Sequence, residues 1–271
     1  MVAVIFWHRF FRKVCKFLIK KLHKKMNPIR IYINLHQIKI GFMREECEKC
    51  VIRDLNSLHS VTSEELKTIA KKKSTIHIQK GEVIFSEGTS LRGVYCLRNG
   101  KCKLTKLAPN GKEQIVRFIR RGDLVGHRSV ISNSVAHLTA TALEEMDVCF
   151  IPKQEIIELF KNNSEFSLEI TKSLADDLDE ANSSIANMAQ KNVRERLAES
   201  LLFFERIFGV DNEGYISVTL TREEIANAIG TATESTIRLL SEFKKEEYIS
   251  LSGKKIKIEN KIKLQHLTEG Y

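Results

Sequence analysis

The sharpest pattern of apolar and polar positions lies in the C-terminal third of the chain. Between Thr219 and Phe243 two short helical patterns meet at Gly230. In the first, Ile225 and Ile229 stand one turn apart with small Ala226 beside them. Thr221 is placed to cap this helix, and Glu224 to complete a capping box. In the second, Thr233 is the expected cap, and Ile237, Leu240 and Phe243 are the expected buried stripe. Glu234, Ser235 and Arg238 fall on the other faces. Residues 248–251 and 256–258 then alternate like strands around Ser252-Gly253. Two helices joined at a tight glycine turn and followed by a hairpin predict a winged helix-turn-helix. The second helix of such a unit enters the major groove of DNA. An Arg at position 238 suits guanine, and a Glu at 234 suits the amino group of cytosine. Lys254, Lys255 and Lys257 on the wing suit phosphates. Thr221, Thr233 and Ser235 complete the expected DNA-contacting set.

The middle of the chain has a period of two. Seven of the 13 glycines fall between Gly81 and Gly126. They punctuate alternating runs at 82–85, 93–97, 102–107 and 114–119. Asn99-Gly100 and Asn110-Gly111 are strong hairpin signals. Many short strands with regular turns predict a roll or barrel. From Pro152 to Gly209 no Pro or Gly intervenes, and the period changes to that of a helix. Ile156, Ile157, Leu159 and Phe160 suit a short helix against the roll. Phe166, Ile170, Leu174, Leu178, Ala181, Ile185 and Met188 recur at steps of three or four. This narrow stripe among charges predicts a coiled-coil seam and hence a two-fold dimer. A break is expected near residues 189–193.

On these residues the chain resembles the Crp/Fnr transcription regulators over nearly all of positions 45–260. The resemblance implies an α+β architecture: an N-terminal double-stranded β-helix (jelly-roll) effector domain, a long dimerisation helix and a C-terminal winged helix-turn-helix. The corresponding boundaries are 43–152, 153–191 and 192–271, with a basic extension at 1–42. Lys80-Gly81-Glu82, Asn99-Gly100 and residues 122–126 match the turn glycines of the roll. In the family, a Glu and an Arg four residues later read the half-site, which places these roles on Glu234 and Arg238 and implies a TGA-like core. The implied partners are a double-stranded DNA operator, a second copy of the chain and RNA polymerase, and the implied localisation is cytoplasmic. Nucleotide-binding members carry a Gly-Glu pair for the ribose and an Arg followed by Ser or Thr for the cyclic phosphate. Here Gly126 precedes His127 and Arg128, and the phosphate pair falls on Ala136 and His137. Losing that Arg removes the charge partner of a buried phosphate, so no cyclic nucleotide is expected.

Charge changes the picture at the N-terminus. The net charge of +10 suggests nucleic acid, yet residues 1–44 hold eleven Lys or Arg and no acid. The rest has 33 basic against 34 acidic residues, about −1. Any DNA footprint must therefore come from local placement. Three readings of residues 1–42 stand open: a native start at Met43, a disordered basic arm, or a basic amphipathic helix on a membrane surface. The last supports an alternative function, a signalling module whose roll is tethered to membrane. The apolar runs are too short to span a bilayer, and a membrane partner is not the favoured reading.

Six cysteines are present. Cys47 and Cys50 have the spacing of a ligand pair. The resemblance implies that a cysteine group ahead of the roll, with one in its last strand before Ile-Pro, holds a [4Fe–4S] cluster in oxygen-sensing Fnr proteins. Cys149, before Phe150-Ile151-Pro152, takes the place of that last ligand. A third thiol after Cys50 is missing: the chain runs Val51-Ile52-Arg53-Asp54-Leu55-Asn56. Cys96 and Cys102, flanking Asn99-Gly100, suit buried small hydrophobes, with a turn of Cys102 toward the N-terminal pair left open. An iron–sulfur cluster, zinc, plain structural thiols and an unligated effector domain all remain open, and the cofactor is unassigned. No nucleotide-binding glycine loop, His-Glu-x-x-His or Gly-x-Ser-x-Gly turn is present, so no enzyme is expected.

Overall fold

The computed structural model describes Cys47 and residues 50–269. The expectations for residues 1–42 and for a start at Met43 lie outside the described residues. Eight strands build the roll: β1 (Ser74–Ile78), β2 (Val83–Phe85), β3 (Gly93–Asn99), β4 (Cys102–Leu107), β5 (Glu113–Ile119), β6 (Leu124–Val125), β7 (Thr139–Ala142) and β8 (Met146–Pro152). They form two four-stranded antiparallel sheets, in the orders β1-β8-β3-β6 and β2-β7-β4-β5. Alternation assigns each side chain to a face. Leu97 and Val148 of the first sheet meet Leu104 and Ala140 of the second inside the roll. Val94, Cys96, Cys149 and Ile151 point to the other face of the first sheet, into a separate core.

The two expected hairpins have different outcomes. Asn110-Gly111 joins β4 to β5, which pair from Leu107↔Glu113 to Cys102↔Ile119. Asn99-Gly100 is not a hairpin, because β3 pairs with β8 and β6 while β4 pairs with β5 and β7. It is a corner where the chain crosses between sheets. Gly100 has φ +86°, and a Cβ there would stand 2.4 Å from Cβ of Met146. The corner thus needs glycine both for its backbone and for space. A local turn signal cannot distinguish a hairpin from a corner, since only pairing across the whole roll decides it.

Helices cover the outer face of the first sheet. α1 (Ser63–Lys72) starts at a Thr62–Glu65 capping box. A short α2 (His127–Ile131) follows β6, and α3 (Lys153–Asn162) follows β8. Next comes α4 (Ser164–Gln190), 27 residues and about 40 Å long. Phe166 and Ile170 are fully buried in the same core as Cys96 and Cys149, and Leu174 packs against it. The expected seam is thereby divided. Its first three members serve their own protomer, because the helix begins against the roll. Leu178, Ile185 and Met188 are 61%, 69% and 42% exposed, and Ala181 is exposed too.

The chain breaks at Lys191, as expected, and restarts with a second capping box from Asn192 to Glu195. α5 (Val193–Phe208), α6 (Arg222–Ile229), α7 (Thr233–Lys245), β9 (Ile249–Ser252), β10 (Lys255–Ile258) and α8 (Lys261–Thr268) share one core built on Leu197, Leu201, Ile225, Leu240 and Phe243. Phe118 of β5 joins it, edge-on to Phe204 and Phe208 at 5.1 and 5.8 Å. No described helix is long and apolar enough to cross a membrane.

Candidate nucleic-acid interface

The turn between α6 and α7 is built as its residues dictate. Thr221 accepts from the Glu224 N–H, while Glu224 accepts from the Thr221 N–H at 2.8 Å and its hydroxyl at 3.1 Å. Gly230 ends α6 in the left-handed region, φ +67°. The cap of α7 is Ala232, without a side-chain hydrogen bond. Thr233 is the first helical residue, so the helix starts one position earlier than expected.

The buried stripe of α7 also differs from expectation. It comprises Thr236, Leu239, Leu240 and Phe243, while Ile237 is 48% exposed. The spacing i, i+3, i+4, i+7 is a full helical face. Hydrophobicity alone points to Ile237, Leu240 and Phe243. A threonine can be buried here because its hydroxyl donates to the Ala232 carbonyl one turn back, at 3.3 Å. Consistent spacing was the signal that could have found it.

Glu234 and Arg238 lie one turn apart on the opposite, exposed side. The Arg238 side chain is 74% exposed and approaches Glu242 at 3.8 Å. Thr233 and Ser235 are half-buried beside them. On the wing, Ile249↔Ile258 through Ser252↔Lys255 pair antiparallel. Lys254 at its tip is exposed. Lys255 pairs with Asp211 at 3.0 Å and sits over the Tyr215 ring, while Lys257 approaches Glu259 at 3.6 Å. Three arginines that sequence reasoning missed hold these parts together. Arg222 donates to the Gly253 carbonyl, tying α6 to the wing turn at 2.9 Å. Arg196 donates to the Ile229 carbonyl at the end of α6, also at 2.9 Å. Arg194 lies 4.9 Å over the Phe243 ring and bonds Glu242 and Glu246.

This domain is docked on the roll. Lys103 of β4 pairs with Glu224 at 2.9 Å, and Gln114 of β5 donates to the Ala228 carbonyl at 3.3 Å. Burial would raise the Glu224 carboxyl, but the Thr221 cap and Lys103 outweigh it and hold it below its usual value. A second link joins the roll to α4. Asp177, with its side chain 2% exposed, accepts from Arg117 of β5 and, at 2.9 Å, from Arg128 of α2. Arg128 is thus engaged with the helix. At the position expected for a phosphate-binding arginine, Ala136 is buried and its backbone bonds Gly88 and Thr89.

His127 lies beside this link. Its Nδ1 faces the Leu124 carbonyl at 3.1 Å, and its Nε2 is buried without a partner among the described residues. Burial lowers its pKa from 6.5; Asp177 opposes the shift, while Arg128 and Arg117 reinforce it. The unfolded chain therefore binds a proton below 6.5 that the folded chain refuses. Stability from this group is complete above that pH and declines as pH falls toward the folded value. Thermal midpoints measured against pH should show a shallower acid-side slope in His127→Asn than in the wild type.

Of the cysteines, Cys102 faces the roll interior and does not turn toward the N-terminal pair. Cys96 does: it shares a core with Cys149, and Cys47 and Cys50 pack against that core. Lys73 reaches within 4.0 Å of the Cys149 sulfur and bonds Cys47. Burial would lower its pKa, but the neighbouring thiols Cys149, Cys47 and Cys50 outweigh this and raise it. The donor set is soft and suits zinc or an iron–sulfur cluster. Among the described residues, no three His, Cys, Asp or Glu side chains already stand at ligand spacing.

Comparison with known proteins agrees with this architecture. The family model for the cyclic nucleotide-binding domain matches residues 75–163, and that for the Crp-like helix-turn-helix domain matches residues 195–267. The chain is 31% identical over 238 residues to the fumarate and nitrate reduction regulatory protein of Vibrio cholerae, covering 85% of this chain and 93% of that protein. The protein of the same name from Escherichia coli is 30% identical over 240 residues, covering 86% and 94%. A crystal structure of a Crp/Fnr-family transcriptional regulator from Eubacterium rectale shares the fold. Its TM-score is 0.66 at 22% identity, covering 78% of this chain and 96% of that one. The chain is a DNA-binding transcription regulator that belongs to the Crp/Fnr family.

Proposed function

We propose that two copies of this chain pair through the exposed half of α4 and bind a palindromic operator with TGA-like half-site cores. In each half-site Glu234 and Arg238 read base edges. Thr233 and Ser235 stand beside them, and Lys254, Lys255 and Lys257 hold phosphates. Thr221 acts through its cap, which sets the angle of α6. The observation that carries this reading is the pair Glu234 and Arg238, exposed on the first turns of a helix whose other face is sealed by Thr236, Leu239, Leu240 and Phe243. Gel-shift titration of wild type and Arg238→Ala against a palindromic operator tests it.

Pairing through α4 is supported by Leu178, Ile185 and Met188, which continue the buried stripe yet are exposed. Ile185→Glu is expected to turn a dimer into a monomer in light scattering after gel filtration. Operator affinity should fall with it, because half-sites one helical turn apart need both recognition helices. Unchanged mass would remove α4 as the seam.

The signal enters at the thiols Cys47, Cys50 and Cys149, as a redox-responsive iron–sulfur cluster or metal. Phe166 and Ile170 of α4 share a core with Cys149, so a change there moves the dimer helix directly. The Asp177 and Glu224 links carry that movement to the roll and the DNA domain. This is a population shift between packings. The bound dimer then alters the access of RNA polymerase to the promoter.

A further inference from the structure

Three thiols do not complete a thiolate site, and residues 51–56 after Cys50 hold no further thiol. The fold supplies a fourth from elsewhere. Cys96 on β3 is the direct register partner of Cys149 on β8. Cross-strand partners on one face carry Cβ atoms about 4.5–5.5 Å apart. The face is the outer one, shared with Val94 and Ile151 and covered by the segment that holds Cys47 and Cys50. Asn56 lies against the Cys96 sulfur, its Nδ2 at 3.5 Å, and donates to the Ile52 and Gly122 carbonyls at 3.1 and 2.8 Å.

We infer that Cys47, Cys50, Cys96 and Cys149 together form a four-thiolate site for a soft metal, either a zinc ion or an iron–sulfur cluster. This rests on the reading above that the thiols sense the signal. Four thiolates are the complement that both groups take. The set contains no carboxylate, which disfavours calcium and magnesium. Four thiolates around one divalent ion leave a net charge of −2, of which Lys73 offsets one. The Cys96 thiol is pushed up to about 12 by burial and by its neighbouring thiols. It stays protonated until a metal displaces the proton, so affinity rises with pH. Binding draws the Cys47–Cys50 segment onto the β3–β8 pair, since the thiols are not yet at ligand spacing.

The test uses the full chain, purified without oxygen, with Co²⁺ as one probe and Fe²⁺ plus sulfide as the other. Cys96→Ala and Cys149→Ala should each lose Co²⁺ affinity by at least roughly 100-fold, since even outer-shell changes cost ~10–100-fold. Cys102→Ala, an equally buried thiol inside the roll, should bind as wild type does. X-ray absorption of the wild-type Co²⁺ form should count four sulfur ligands, which decides the matter even if Cys96→Ala fails to fold. Three sulfurs, or wild-type binding by a folded Cys96→Ala when Cys149→Ala has lost it, overturns the role of Cys96 and leaves the three-thiol reading standing. A wild type that takes up neither Co²⁺ nor iron and sulfide overturns both. Iron with acid-labile sulfide in the purified protein assigns the cluster; zinc without sulfide assigns the single ion.

Discussion

Arg238→Ala is expected to lower operator affinity by about 1–3 kcal/mol in each half-site, the worth of one bidentate base contact. A dimer carries two such contacts, so the total is about 2–6 kcal/mol, or roughly 30-fold to 10⁴-fold in Kd. Little of this is offset by what Arg238 does in the free protein. Its approach to Glu242, at 3.8 Å on a surface, is weak. Binding to unrelated DNA should hardly change, because it depends on phosphate contacts. Lys254→Ala should behave oppositely, weakening all sequences alike and flattening the salt dependence by about one unit. Fluorescence anisotropy on operator and scrambled duplexes over a salt series separates the two. Full affinity and sequence preference in Arg238→Ala would remove this helix as the reader.

Phe243→Ala should destabilise the DNA-binding domain by about 3–5 kcal/mol, the range for truncating a fully buried aromatic. Phe243 is completely buried, meets the Tyr248 ring at 5.5 Å and carries Arg194 over its face. Losing it opens a cavity where α5, α7 and the wing meet. Against a typical domain stability of about 5–15 kcal/mol, that is enough to leave α7 poorly held at growth temperature. Ile237→Ala on the same helix should change stability by no more than about 0.5 kcal/mol, as expected of an exposed position. Urea unfolding followed by circular dichroism measures both. Equal effects of the two substitutions would mean that α7 packs by the face predicted from its sequence.

Much of the architecture was legible because it is local. The Thr221–Glu224 box, the Gly230 turn, the wing around Ser252-Gly253 and the break before Val193 each rest on a few neighbouring residues with steric or hydrogen-bonding requirements. These appear where the pattern placed them. The cap of α7 moved by one residue to Ala232, because Thr233 entered the helix instead. Thr236 was missed because its polarity concealed a hydroxyl satisfied by its own helix.

Other features could not be read locally. Asn99-Gly100 satisfies every rule for a hairpin, yet joins two sheets, since β3 finds β8 rather than β4. The α4 stripe reads as one continuous seam, but the roll claims Phe166 and Ile170 and leaves Leu178, Ile185 and Met188 uncovered. The Arg117–Asp177–Arg128 link joins residues far apart in the chain, so no spacing announces it.

By itself, then, the sequence determined the order of roll, long helix and winged helix-turn-helix, and the exposed pair Glu234 and Arg238. Periodicity and capping act within one or two turns of chain, and a single sequence carries them in full. Only the tertiary structure decided which cysteine stands beside Cys149. Cys96 and Cys102 read alike along the chain, six residues apart and both buried. The corner at Gly100 sends their strands into different sheets, so one thiol faces the roll interior and the other the cysteine-bearing segment. Strand pairing between distant segments sets that choice, and no local rule encodes it.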